Sequence, residues 1–306
     1  MPRAVRFDRF GGTEVLQVVE VDRPVPPAGT VLVRVRAAGL NPVESGIRGG
    51  FLDKVYPTTF PAGQGRDLAG VVEEAGPGVT EFAAGDEVLG WTDERGTQAE
   101  LVVVPVGNLT RRPAEVSWEV AGALYTAGAA AYAAVRAVAV GDGDTVVVAN
   151  AAGGVGSIAV QLARHAGATV IGLAGEAHHD WLQQHGVTPV AYGEGALDRV
   201  RAAAGDKIDA FVDAFGADYV DLALQLGVQP DRVNTLINFA AAAQHGVKAQ
   251  GSNDASTPEV LAELADLVAK GRLEVPVERA FPLEGVAEAY DLLERRHTLG
   301  KIVLVP

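Results

Sequence analysis

The stretch Thr145-Val146-Val147-Val148-Ala149-Asn150-Ala151-Ala152-Gly153-Gly154-Val155-Gly156 runs from a block of β-branched residues into a glycine turn. An amphipathic segment over 157–167 follows, with Ile158, Leu162 and Ala166 on one face. Glycines let a backbone approach a pyrophosphate closely. A helix starting at such a turn adds N–H groups and the positive end of its dipole. The spacing Gly153-x-x-Gly156 is a variant of the dinucleotide fingerprint, with Ala151 where a first glycine normally stands. Three glycines alone could make a turn in any α/β protein. The strand–turn–helix–strand order around them points instead to a bound dinucleotide, with Ala152, Gly153, Gly154, Val155 and Gly156 against its pyrophosphate.

The elements that must hold this turn form the second of two textures along the 306 residues. Residues 1–118 are strand-rich, with β-runs at 31–37, 68–76, 87–90 and 99–104 bounded by Gly, Pro or Asp. That half reads as a compact, partly open β-barrel. Over 119–252 an Ala-rich helix (119–139) leads into alternating strands and helices. Strands are expected at 145–149, 169–173, 187–192, 209–213, 233–238 and 247–250, with a helix at 180–185. Continuous apolar strands alternating with helices mean a doubly wound parallel sheet, so the fold class is α/β. Residues 253–306 add helices at 258–270 and 285–295 and strands near 277 and at 302–305.

Composition narrows the partners. A formal charge of −14 makes nucleic acid a poor one, because phosphate backbones call for a basic surface. Cysteine is absent, which removes disulfides, thiolate nucleophiles and Cys-ligated zinc. The longer apolar runs, such as 120–140, are Ala-rich and glycine-interrupted, weaker than a membrane span requires. The opening Met1-Pro2-Arg3-Ala4-Val5-Arg6 alternates like a strand and lacks a signal peptide's apolar stretch, so a cytoplasmic protein is expected.

Several landmarks together resemble the medium-chain dehydrogenase/reductase superfamily, in its zinc-independent quinone oxidoreductase-like branch. They are Ala38-Gly39-Leu40-Asn41-Pro42, Gly65-Arg66-Asp67-Leu68-Ala69-Gly70-Val71-Val72, Gly85-Asp86-Glu87-Val88, Ala151–Gly156 and Gly300-Lys301-Ile302-Val303-Leu304. The resemblance implies a GroES-like barrel (1–118), a Rossmann domain (119–252), a C-terminal return to the barrel (253–306), and a homodimer. Zinc-dependent relatives place a Cys at the position of Asn41 and a Gly-His-Glu at Gly65-Arg66-Asp67. Neither an amide nor a guanidinium is a zinc ligand, so no metal is expected.

The same resemblance assigns the remaining candidates. Asn41, at the lost-ligand position, faces the nicotinamide with Pro42, or simply makes an Asx turn. Glu44 matches a family acid, or is a helix N-terminal charge. Arg48 contacts substrate or is a solvated charge. Tyr125 and Thr126 fall in the turn brought against the nicotinamide; Tyr125 is a pocket wall, a proton donor or an ordinary buried tyrosine. Phe215, Phe239, Ala240, Gly251 and Ser252 line the cofactor at strand carboxyl ends.

The adenosine ribose should fall near Gly175 and Glu176, about 20 residues beyond Gly156. Gly175, His179 and Tyr192 favour NADP(H). Glu176 and the lack of Lys or Arg nearby favour NAD(H), and NADP(H) is the cofactor expected. Without a Lewis acid the acceptor must already be electrophilic, so a quinone or an α,β-unsaturated carbonyl is the expected small-molecule substrate. The alternatives are an enoyl reductase of polyketide or fatty acyl metabolism, and a nucleotide-binding structural or sensor protein without turnover.

Overall fold

The computed structural model describes residues 1–205 and 207–306. The chain divides into two compact units. The first comprises Met1–Thr126, Thr257–Arg272 and Val277–Pro306; the second comprises Ala127–Ser256 and Leu273–Pro276.

In the first unit the central strand is Thr30–Gly39, whose alternating pattern buries Val31, Val33 and Val35. It pairs antiparallel with Asp67–Ala75, with Leu101–Pro105, and with Lys301–Val305. Strands Glu87–Trp91 and Leu109–Arg111 continue the sheet on one side and Val277–Pro282 on the other. A three-stranded sheet (Gln17–Glu20, Arg3–Phe7, Ala62–Gly63) completes the strand set. The pairing of Val303 with Gly39, and Leu40 N–H donating to the Ile302 carbonyl at 3.0 Å, brings Lys301 beside Asn41. Gly39 is required to be small there: a Cβ would lie 2.8 Å from the Gly122 carbonyl oxygen and 2.9 Å from Ala123 Cα.

The second unit is a five-stranded sheet, parallel throughout. Its order is Thr188–Ala191, Thr169–Ala174, Thr145–Ala149, Ala210–Asp213, Val233–Thr235. Chain order reverses at Thr145–Ala149, whose neighbours are the next strand and the fourth, and ligands bind at such switch points at strand carboxyl ends. The apolar runs predicted for these strands pack one core containing Val147, Ile171, Leu173, Phe211 and Val233. Burying each of the larger side chains stabilises the sheet by about 1.5–3 kcal/mol.

Two expectations for this sheet are corrected. The strand expected over 233–238 stops at Thr235, because the Thr235 hydroxyl accepts the Asn238 N–H at 3.0 Å and turns the chain. Asn238 then caps a helix, Phe239–His245, by accepting from Ala241 N–H. Phe239 and Ala240 therefore open a helix rather than end a strand. The strand expected over 247–250 is reduced to one parallel bridge between Asn234 and Lys248. The Asn234 amide replaces the missing ladder, donating to the Gln250 carbonyl at 3.0 Å and accepting from Gln250 N–H at 2.9 Å.

Candidate active site

Asn41 leaves the central strand in an extended conformation and caps a short helix, Pro42–Arg48, with Pro42 at its first position. The Glu44 carboxylate turns back to accept the Asn41 backbone N–H at 3.0 Å. The Asn41 side chain is held at both ends. Its Oδ1 accepts from Lys301 Nζ at 2.5 Å, and its Nδ2 donates to Glu44 at 3.4 Å. Lys301 also donates to the Leu40 carbonyl at 2.7 Å.

Glu44 is fully enclosed rather than an exposed helix-end charge. It accepts from Tyr290 Oη at 2.6 Å, from Arg66 N–H at 3.2 Å and from Gln98 Nε2 at 3.4 Å. Burial pushes its carboxyl above the ordinary range, against the pull of the Tyr290 hydrogen bond. Asp67 is likewise pushed up by burial, with Lys301 and Thr126 pulling the other way. Thr126 donates to Asp67 from both its backbone N–H, at 3.2 Å, and its hydroxyl. Burial lowers the Lys301 ammonium, while Asp67 and Glu44 raise it. Two carboxyls and one ammonium thus share a water-poor cluster around the Asn41 amide, each more neutral than it would be in water.

Arg48 is not a solvated charge: only 1 % of it is exposed. It pairs with Glu294 at 2.8 Å, donates to the Gly12 carbonyl at 3.0 Å, and lies over the Tyr290 ring. Tyr125 is buried, its ring stacked on Trp91 with centroids 4.2 Å apart and planes 2° from parallel.

In the second unit the glycine turn leaves the carboxyl end of Thr145–Ala149. Asn150 makes the bend, at a left-handed φ of 56°, one residue before the position where a first glycine was missed. Its carbonyl accepts Gly153 N–H at 3.0 Å, and its side chain donates to the Ala214 carbonyl of the neighbouring strand end. A Cβ at Gly156 would run into the Asn150 carbonyl, and one at Gly153 into the Asn150 side chain. The helix Gly156–His165 follows directly, with Ala151 and Ala152 buried behind it. A backbone drawn this tight at a helix start fits a pyrophosphate.

At the next strand end, Gly175 opens a short turn and His179 Nε2 lies 3.4 Å from the Ala174 carbonyl. A Cβ on Gly175 would meet the Tyr192 ring at an ordinary 3.5 Å, which puts the ring against this turn. Across the switch point, buried Asp213 accepts from Phe215 N–H, Gly216 N–H and the Thr235 hydroxyl, and fixes the Phe215 loop. Gly251 N–H donates to Asp254 at 2.8 Å, and Ser252 starts a single 3-10 turn.

Sequence reasoning missed Lys301, Asp67, Tyr290 and Gln98 as members of the polar cluster. Lys301 and Asp67 sat inside two of the quoted motifs; Tyr290 and Gln98 carried no local signal. Zinc does not fit the set. The Lys301 ammonium already occupies the Asn41 oxygen, and no group of three or more His, Cys, Asp or Glu able to hold a metal occurs among the described residues. No helix among the described residues is long and apolar enough to cross a membrane.

Two family models match: "Alcohol dehydrogenase GroES-like domain" over 27–114 and "Zinc-binding dehydrogenase" over 185–304. The chain is 30% identical to the quinone oxidoreductase of Mus musculus, over 99% of this chain and 97% of that protein. It is 33% identical to the polyketide synthase GfsB of Streptomyces halstedii, over 90% of this chain but 5% of that protein. The structure of the quinone oxidoreductase from Coxiella burnetii superposes with a TM-score of 0.91 at 30% identity, over 100% of this chain and 99% of that one. The Escherichia coli quinone oxidoreductase complexed with NADPH superposes with a TM-score of 0.88 at 27% identity, over 99% and 100%. With the barrel strands, the parallel sheet and its glycine turn in place, these likenesses have one meaning: the chain belongs to the medium-chain dehydrogenase/reductase superfamily, in its quinone oxidoreductase-like branch.

Proposed function

We propose that this protein is a zinc-independent, NADPH-dependent oxidoreductase that reduces a quinone or an α,β-unsaturated carbonyl. The observation that carries the zinc-free chemistry is the buried Lys301 ammonium on Asn41 Oδ1. A fixed protein cation stands where a metal ligand would be needed, so the acceptor must delocalise incoming charge itself, as conjugated carbonyls do.

When bound, NADPH supplies a hydride. The chain's own residues bind and orient. The turn at Gly153, Gly154, Val155 and Gly156, backed by Ala152, cradles the pyrophosphate. Gly175, His179 and Tyr192 flank the adenosine ribose, and the nucleotide is lined by Phe215 beyond strand Ala210–Asp213, Phe239 and Ala240 at the start of helix Phe239–His245, and Gly251 and Ser252 after the bridge at Lys248. Asn41, its Oδ1 taken by Lys301 and its Nδ2 donating to Glu44, acts as a fixed part of the polar wall that positions the acceptor. The Thr126 hydroxyl, donating its hydrogen bond to Asp67, presents its oxygen as an acceptor. Glu44 and Arg48 position this set from behind rather than touching substrate.

The test is NADPH oxidation followed by absorbance against a panel of quinones and enones. Turnover with conjugated acceptors and none with simple ketones is the expected outcome. Tight NADPH binding without turnover on any acceptor would make the chain a nucleotide-binding protein instead. A second reading, enoyl reduction of polyketide intermediates, is favoured by the likeness to the polyketide synthase. Enoyl thioesters in the same panel decide it. A homodimer belongs to the same reading, and light scattering measures that directly.

A further inference from the structure

Residues 175–192 contain no Lys or Arg to meet an adenosine phosphate. The fold brings one from further along. Arg199 lies in the first turns of helix Ala196–Ala204, just beyond strand Thr188–Ala191. Its guanidinium turns back onto the end of that strand. Nε and Nη2 donate to the Ala191 carbonyl at 3.1 and 2.9 Å, and Nη2 to the Tyr192 carbonyl at 3.2 Å.

Ala191 is the register partner of Ala174 in the adjacent strand, and Ala174 immediately precedes Gly175. The Tyr192 ring lies over Gly175, 3.5 Å from where a Cβ would be. The guanidinium is therefore fixed at the carboxyl ends of the two strands beside the expected ribose position, about 20 residues past the glycine turn. Its hydrogen bonds go to neutral carbonyls and it has no ion pair among the described residues, so its whole charge remains available. Glu176, the opposing acid, is exposed, where water and salt screen its repulsion.

We propose that Arg199 receives the 2′-phosphate of NADPH and is the residue that selects NADPH over NADH. The inference rests on the dinucleotide reading of the glycine turn. A guanidinium held by its Nε and Nη2 edge keeps further N–H donors for phosphate oxygens, and such charge-assisted bonds are lost entirely with a 2′-hydroxyl.

The test compares wild type, Arg199→Gln and Arg199→Lys by KM for NADPH and for NADH, and by binding of 2′,5′-ADP and 5′-AMP. Arg199→Gln should raise the NADPH KM and weaken 2′,5′-ADP binding about tenfold, the size of one charge-assisted contact. NADH and 5′-AMP should respond little, and Arg199→Lys should recover part of the loss. An unchanged NADPH/NADH ratio in Arg199→Gln overturns the proposal. So does an equal loss for both nucleotides, which would make the guanidinium only a clamp on the strand end. A wild type that shows no preference for NADPH fails at the first measurement, and overturns the choice of cofactor along with the role of Arg199.

Discussion

Lys301 Nζ and Asn41 Oδ1 lie 2.5 Å apart inside the first unit, although 260 positions separate them in the chain. The ammonium fixes which end of the amide faces which way, and balances part of the charge on Glu44 and Asp67. Removing one member of a buried charge set leaves the others uncompensated, at about 3–5 kcal/mol. Lys301→Met should therefore lower the unfolding free energy by about 3 kcal/mol in urea titrations and cut kcat in the folded fraction. An unshifted unfolding midpoint would mean that the ammonium does not hold the cluster.

The pH dependence of Glu44 has a definite sign. Burial holds its carboxyl above the ordinary value of 4.5, so the folded protein keeps this proton longer than the unfolded chain. Its stabilising contribution is complete below 4.5 and is lost as pH climbs through the raised folded value. Glu44→Gln stays neutral throughout. Thermal melts at stepped pH should show wild type losing ground to the variant as pH rises through this window, then a constant gap. A gap moving the other way would contradict a raised carboxyl.

At Gly156 any side chain is excluded by backbone, since a Cβ there would meet the Asn150 carbonyl. Gly156→Val should abolish saturable binding in NADPH fluorescence titrations. Wild-type affinity in that variant would move the nucleotide away from this turn.

Glu176 is exposed beside the ribose position, so its effect on a phosphate is real but screened. Glu176→Gln should lower the KM for NADPH about twofold and leave that for NADH unchanged or slightly raised. A higher NADPH KM would show that the acid assists the phosphorylated cofactor.

Tyr125 separates two roles cleanly. Its ring stacks on Trp91, an arrangement worth about 0.5–1.5 kcal/mol beyond burial. Tyr125→Phe keeps the stack and should keep kcat within about threefold, whereas Tyr125→Ala should cost about 3 kcal/mol of stability. A large fall in kcat with Phe alone would make the hydroxyl a proton donor.

Where a signal was local, it was legible. The strand Thr145–Ala149, the turn at Gly153–Gly156 and the following helix stand in the sequence as periodicity and glycine spacing, and the structure has all three. The strand expected over 247–250 is reduced to a bridge, because Val247 packs into the core while the Asn234 side chain takes the bonds of Gln250. For Glu44 a helix N-terminal charge and for Arg48 a solvated charge stayed open beside the functional readings, because nothing within several residues reveals a partner at Tyr290 or Glu294. Burial of a charge depends on strands that meet only in the folded chain.

The pairing of Lys301–Val305 with both Thr30–Gly39 and Val277–Pro282 also fixes an order of assembly. On a ribosome the whole parallel sheet of the second unit emerges before the strand that completes the first. The barrel strands must wait, with the central strand's Ala38–Gly39 end unpaired on that side and Asn41 without its cation. Such long-range closure is slow and leaves an edge open to wrong partners. The second unit is then the natural early folder, and the charged cluster around Asn41 is among the last parts of the protein to exist.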